Sequence, residues 1–377
     1  MVISGSAVEI KKRGVSTMKK FLAMMMATAL ILTALCGAAM ADGSALVSWY
    51  TFGDVYLTSV RTALDAAFEA KGIKVTDKDS NGVQQTQTDD INTAVLTGTN
   101  AVVINLVDSG AIGTAQSLLD VAKNANLPAV FFNRAVSQDD AEAKAMFEGY
   151  DKAAFIGTNF EEAGMMQGNM IGNYVLANYD AIDLNGDGVI SYVMFKGDEA
   201  NQEAIARTKY GVENADAILT AAGKPALKFY DENNANKYLV DTNGTWSSVA
   251  SNDYMQTILA QYSEANGNMI ELVICNNDDM AIGAINALQG VGYNTGAEGS
   301  KTIPVFGVDA VDAAKEKIAA GEMTGTIKQD AEGMADAVAT ITANLIAGNG
   351  AFDGLNENYK IVDGWFVQIP YAEYTGE

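Results

Sequence analysis

The chain has 377 residues, a formal net charge of -23, 49% hydrophobic residues and no histidine. That length accommodates two domains with substantial cores, and the apolar share with only four prolines excludes a disordered chain. So acidic a surface repels nucleic acid and anionic lipid, and without histidine neither a histidine-based triad nor a histidine metal site can be built.

Lys19 and Lys20 precede an apolar run from Phe21 to Leu35, and Ala39, Met40 and Ala41 supply a small-x-small cleavage site. This order of charge, apolar core and small residues describes a Sec-type secretory signal over residues 1–41. Met18 is the expected start, with residues 1–17 an upstream over-read. The run is short for a transmembrane helix. Its removal takes away Lys11, Lys12, Arg13, Lys19 and Lys20 against one acid, Glu9, so the mature chain is more acidic still. Of the two cysteines Cys36 lies in the signal and Cys275 alone survives, so no intrachain disulfide can form. Leu35 before Cys36 is too bulky for a good lipoprotein cleavage box, and a soluble exported protein is expected rather than a lipid-anchored one.

From Ala45 onward, short apolar runs alternate with longer stretches of helical period. Strands are expected at 45–50, 73–79, 100–107, 127–133, 153–158, 189–196, 226–231, 271–276, 302–308 and 323–328. Helices are expected at 56–71, 84–97, 111–125, 160–178, 201–222, 247–265, 278–289, 310–320 and 331–347. Strand followed by helix, repeated, describes parallel sheets covered on both faces. Ten strands exceed one comfortable sheet, so the pattern predicts an α/β chain of two doubly wound, Rossmann-like lobes, the first running to about residue 156.

In open parallel sheets ligands bind beyond the carboxyl ends of the strands. There the sequence places Asp54 and Tyr56 after the first strand and Asn133 at the end of the fourth. Asn201, Glu203 and Arg207 follow the sixth, and Asn277, Asp309 and Gln329 follow the last three. Nearly all are planar groups with fixed hydrogen-bond directions, which suit a ring of hydroxyls, while Tyr56 and Trp246 offer flat faces to its C–H surfaces. The set fits a neutral polyol better than an anion. Each residue has a plainer reading. Asp54 and Asp309 would serve as helix caps, Glu203 and Arg207 as a solvated i,i+4 pair, and Trp246 as packing over the helix that begins near Ser247.

Between the fourth helix of this scheme and the sixth strand, and running into that strand, lies DLNGDGVIS. Asp183, Asn185 and Asp187 stand at positions 1, 3 and 5 of an EF-hand-like loop, with Gly188 at 6, the carbonyl of Val189 at 7 and Ser191 at 9. Calcium takes about six to eight oxygens, and alternating oxygen-bearing side chains around a tight turn provide them. Position 12, where a bidentate Glu should close the sphere, is Met194, so any last carboxylate must come from elsewhere. An Asx-rich turn explains the same residues without a metal.

Nucleotide-binding glycine loops, GxSxG and paired CxxC are absent. A glycoside-processing enzyme using Asp54, Glu203 and Asp309 is the alternative to a carrier. A sugar-responsive transcription regulator is disfavoured by the signal, the acidity and the lack of a helix-turn-helix before the first strand.

The segments AVVINLVD, PAVFFNR, YDKAAFIGTN, DLNGDG, ARTKY, ELVICNNDDMAIGA, IPVFGVDA and GTIKQDA span almost all of the mature chain, and the pairing of DLNGDG with ELVICNND is specific. On them the exported chain resembles the periplasmic galactose/glucose-binding proteins of ABC sugar importers, within the type I periplasmic binding protein family. The resemblance implies two lobes joined by a three-strand hinge. Residues 42–156 and 329–366 would form the first lobe, and 157–328 with 367–377 the second. It implies no enzyme activity, a structural Ca2+ held by Asp183, Asn185, Asp187, Val189, Ser191 and Glu271, and a monosaccharide bound between the lobes. Hydrogen-bonding roles fall on Asp54, Asn133, Arg207, Asn277 and Asp309, and stacking on Trp246 and on Tyr56, where the family usually has Phe. Asn201, Glu203, Gln329 and Ser191 stand where His, Asp, Asn and Gln are usual. The implied partners are an ABC permease and a chemoreceptor, and the implied state is a periplasmic monomer.

Overall fold

The structure is a computed structural model that describes residues 43–376. The expected signal, including Cys36, lies outside the described residues. Among them no helix is long and apolar enough to cross a membrane.

The chain alternates strand and helix as its apolar pattern dictates. The first half contains β1 (Gly43–Trp49), α1 (Val55–Ala70), β2 (Ile73–Asp79), α2 (Gln84–Thr97), β3 (Ala101–Ile104), α3 (Ile112–Asn124), β4 (Ala129–Phe132), α4 (Asp140–Glu148) and β5 (Ala153–Gly157). Then follow α5 (Phe160–Ala177), α6 (Tyr179–Ile182), β6 (Ser191–Lys196), α7 (Gln202–Ala221), β7 (Lys228–Phe229), β8 (Leu239–Val240), α8 (Ser248–Leu259), β9 (Leu272–Cys275) and α9 (Asp278–Gly290). The last stretch holds β10 (Val305–Asp309), α10 (Asp312–Ala319), β11 (Gly325–Gln329), α11 (Ala331–Ala347), β12 (Lys360–Val362), β13 (Phe366–Gln368) and β14 (Tyr371–Tyr374).

The strands sort into two sheets, of order β12-β13-β5-β4-β3-β1-β2 and β14-β11-β10-β9-β6-β7, with β8 also paired to β6. Both are parallel except for one antiparallel pair each, β12 with β13 and β11 with β14. The central strands read as continuous apolar runs because helices cover both faces: Ala101–Ile104 and Leu272–Cys275 are buried at every position. Each expected strand is present, within a few residues of its expected ends. The expected helix at 247–265 stops at Leu259, and α4, β8 and the three short strands at the carboxyl end were not anticipated.

Three segments pass between the sheets: Thr158 and Asn159 after β5, Asp330 after β11, and Ile369 and Pro370 between β13 and β14. In the second lobe α5 and α7 cross so closely that a Cβ at Gly164 would fall 2.6 Å from the carbonyl oxygen of Ala206. Only glycine there lets α7, the helix that carries Glu203 and Arg207, lie this near its neighbour.

Candidate functional site

The carboxyl ends of both sheets face each other, and the polar residues expected there come together. Arg207, 2% exposed, is the hub. Its Nη1 donates to the carbonyl of Asn276 at 2.9 Å and lies 3.8 Å from Asp309 Oδ1. Its Nη2 donates to Glu203 Oε2 at 3.1 Å, Gln329 Oε1 at 2.9 Å and Tyr371 Oη at 3.1 Å. Burial alone would lower the guanidinium's pKa, but Tyr371, Glu203 and Asp309 outweigh it and hold the proton on. The solvated-pair reading of Glu203 and Arg207 is therefore corrected: both are buried, and the ion pair lies in the interior.

The plainer reading holds in part for other residues. Asp54 caps α1, accepting from the Leu57 amide at 2.8 Å, and its other oxygen accepts from Tyr50 Oη at 2.9 Å. Asn277 caps α9 through Met280 and donates to the Trp246 carbonyl at 3.2 Å. Asn201 caps α7 through the amides of Glu203 and Ala204, and its amide nitrogen turns to Ser109 Oγ of the first lobe at 3.5 Å, so both ends are already engaged. Asp309 is no cap: it ends β10, and Val311 precedes α10 without a side-chain bond. Asn133 follows β4 directly and accepts from Asn105 at 3.2 Å.

Backbone strain marks the same place. Asn133 (φ 62°), Trp246 (φ 58°), Asp309 (φ 123°) and Ala310 (φ 55°) all occupy positive φ. For residues with a Cβ such conformations cost on the order of 1–3 kcal/mol each and persist where the surroundings enforce them, characteristically at binding sites. Buried polar atoms without protein partners gather here too: Arg207 Nε, Tyr56 Oη and Gln329 Nε2. Tyr56 comes from the first lobe, yet Asp309, Tyr371, Glu203 and Arg207 of the second all lie close enough to move its hydroxyl pKa, which burial pushes up. A groove of about 580 Å3 opens beside this cluster and shares Tyr56, Asp309 and Gln329 with it.

Several participants were not singled out from the sequence. Arg134 lies 4.1 Å over the Tyr50 ring, donates to the Leu106 carbonyl at 2.7 Å and reaches Asp198 of the other lobe at 3.4 Å. Gln138 donates to the Ala200 carbonyl at 2.6 Å and Gln202 to that of Ser137 at 3.1 Å, so the lobes meet along 198–202. Asp278, wholly buried, accepts from Thr326 Oγ1 at 2.6 Å and from the Val311 amide at 2.9 Å, bracing the strained turn that presents Asp309. The run Asn276-Asn277-Asp278-Asp279 after an apolar strand was its only sequence signal.

Burial pushes the Asp278 carboxyl up to about 7, with Thr326, the amides of Val311 and Ala310, and the Arg207 charge offsetting part of the rise. A folded pKa above the unfolded one contributes stability that is complete below about pH 4 and lost as pH rises through about 7. Melting between about pH 5 and about pH 8 should therefore show a steeper loss in the native protein than in Asp278→Asn, by about 1–4 kcal/mol. Equal slopes would remove Asp278 from the pH dependence.

In the DLNGDG loop, Asp183 accepts from the amides of Gly186 and Gly188, Asn185 from that of Asp187, and Asp187 from that of Val189, all within 2.9 Å. Glu271, fully buried, accepts from the amides of Leu184 and Ser191 at 2.8 Å and from Ser191 Oγ at 3.1 Å. Among the described residues no three acidic, cysteine or histidine side chains converge on a metal-sized point. The loop is an Asx-turn array with a buried carboxylate beneath it.

Residues 45–350 match the model of the periplasmic binding protein domain. The chain belongs to the periplasmic binding protein family. It is 35% identical over 335 residues to the D-galactose/methyl-galactoside binding periplasmic protein MglB of Haemophilus influenzae, covering 88% of this chain and 89% of that one. It is 22% identical to the ribose import binding protein RbsB of Escherichia coli, over 83% and 87% of the two chains. Among solved structures, the solute binding protein of Clostridium phytofermentans with bound β-D-glucose superposes with a TM-score of 0.67 at 17% identity, over 88% and 94% of the chains. The two-lobed architecture of this periplasmic binding protein is thus that of its family.

Proposed function

We propose that the protein is an exported carrier that captures a galactose- or glucose-like aldohexose between its lobes and delivers it to the permease of an ABC importer. What carries this reading is the convergence of Arg207 Nε, Tyr56 Oη and Gln329 Nε2, three buried donors from both lobes without protein partners. Buried donors stay unpaired at a cost of about 1–3 kcal/mol each, so they point to a ligand rich in acceptors. The similarity to MglB supports galactose among monosaccharides. Closure about the three crossings would expose one continuous surface to the permease, and to a chemoreceptor, while the ligand selects the closed form. Carboxylates Asp54, Glu203 and Asp309 are tied to a helix cap or to Arg207, which supports retention of a sugar over its hydrolysis.

Calorimetric titration with D-galactose, D-glucose, L-arabinose and D-ribose is expected to give one site per chain, tightest for a hexose. Heat-silent titration with every sugar would overturn the assignment, and turnover of an oligosaccharide would favour an enzyme.

We also propose that the DLNGDG loop takes Ca2+ as a structural ion. Its all-oxygen donor set supports this, as does the buried Glu271 carboxylate beneath the loop, which already accepts from the amides of Leu184 and Ser191. The ion would lock the loop to the head of β9 through Glu271. Chelation should lower the melting temperature and added calcium restore it, the ion contributing about 2–3 kcal/mol of stability at a hundredfold excess over Kd. A melt indifferent to both treatments would count against the ion.

A further inference from the structure

Glu203 was expected to bind the ligand, but its carboxylate is engaged on both oxygens. Oε2 accepts from Arg207 Nη2 at 3.1 Å, and Oε1 accepts from Thr158 Oγ1 at 2.7 Å and from Tyr371 Oη at 3.1 Å. Tyr371 Oη in turn lies 3.0 Å from Thr158 Oγ1 and accepts from Arg207 Nη2 at 3.1 Å. Thr158, Glu203, Arg207, Gln329 and Tyr371 are all buried. Their places in the chain give this ring its meaning. Thr158 is the first residue beyond β5, Gln329 the last before the second crossing, and Tyr371 the first of β14 after the third. At each crossing, a residue within it or directly beside it therefore sends its side chain to the same Arg207–Glu203 pair.

We propose that Glu203 and Tyr371 are positioning residues rather than ligand contacts: with Thr158 and Gln329 they form a clasp that fixes the Arg207 guanidinium and ties it to all three interlobe crossings. The clasp engages Nη2, the Asn276 carbonyl engages Nη1, and Nε, which has no protein partner, is left as a donor for a ligand. A guanidinium held at both Nη groups presents that donor in one orientation, so little ordering remains to be done on binding. The methylene by which Glu exceeds Asp carries the carboxylate back to the crossings instead of into the cleft. The inference deepens the carrier reading and rests on it for its ligand-binding consequence.

The test has a ligand arm and a ligand-free arm. In the first, native protein, Glu203→Gln, Tyr371→Phe and Thr158→Val are titrated with D-galactose, D-glucose and their monodeoxy derivatives. A clasp predicts that each variant weakens every sugar by a common factor, about tenfold or more, with the ratio of each deoxy sugar to its parent unchanged. Loss of discrimination against one particular deoxy sugar in Glu203→Gln would show a direct contact and overturn the proposal. In the second arm, without sugar, the Arg207 Nη signals should be separate in the NMR spectrum of the native protein, because rotation about Cζ–Nε is hindered, and averaged in Tyr371→Phe and Thr158→Val. Averaged signals in the native protein, or separate ones in both variants, would overturn the clasp. If the native protein binds none of these sugars the carrier reading fails, while the ligand-free arm still decides the clasp.

Discussion

Replacing Arg207 by alanine should abolish measurable sugar binding, a loss of at least about a hundredfold, and should destabilise the fold in the absence of any ligand. Two separate effects add. The guanidinium is 2% exposed and paired with Glu203, whose side chain is 10% exposed, and with Asp309 at 5%, so its removal strands buried carboxylates. Breaking a buried pair from one side costs on the order of 3–5 kcal/mol, because the remaining charge has lost its partner. Asp309 already shows the tension: burial pushes its carboxyl well above the ordinary range, Arg207 opposes that rise, and Asp278, Asp54 and Glu203 reinforce it. The second effect is the lost Nε donor, a charge-assisted bond worth about 1.5–3 kcal/mol to a ligand. Arg207→Lys should rescue neither quantity, since one ammonium cannot serve Asn276, Glu203, Gln329 and Tyr371 together. Thermal melting and calorimetry on the two variants check this. Native-like affinity in Arg207→Lys would mean that charge alone suffices at this position.

The reach of the sequence follows from what each signal encodes. Strands buried on both faces must be apolar throughout, so Ala101–Ile104 and Leu272–Cys275 declare themselves without knowledge of their neighbours. The three-residue β12 pairs at an edge and exposes two of its residues, so nothing in its local composition marks it as a strand. The same division runs through the candidate site. Polar groups at strand ends are visible in the chain, but their assignments depend on distance. Asn201, Asn277 and Asp54 stand in line for a ligand and turn out also to cap the helices they precede. Tyr371 and Thr158 lie 213 positions apart in sequence, and only the meeting of two crossings brings their hydroxyls within 3.0 Å. Arg134 carries no signal of its own beside Asn133, yet it spans the lobes to Asp198.

A single methyl at position 197 should damage binding more than stability. Gly197 follows β6 directly, and its amide donates to Asn276 Oδ1 at 3.2 Å. A Cβ built there lands inside contact distance of the Trp246 ring, on Cδ2 and Cε3. The ring has little freedom to yield. Its own backbone is held at φ 58° and pinned by Asn277 through the carbonyl, while the Arg207 guanidinium stands 5.7 Å from the ring centroid. On the carrier reading this ring stacks on the sugar's apolar face, so a ring displaced by the new methyl would lose that position. Gly197→Ala should accordingly cost about 1–3 kcal/mol of stability, as overpacking does, and weaken sugar binding at least about a hundredfold. Adding Trp246→Ala separates the two consequences: the double variant should regain part of the lost stability by removing the clash, yet remain a poor binder because the stacking surface is gone. Unimpaired affinity in Gly197→Ala would mean that Trp246 does not face the ligand, and the stacking role would then fall to Tyr56 alone.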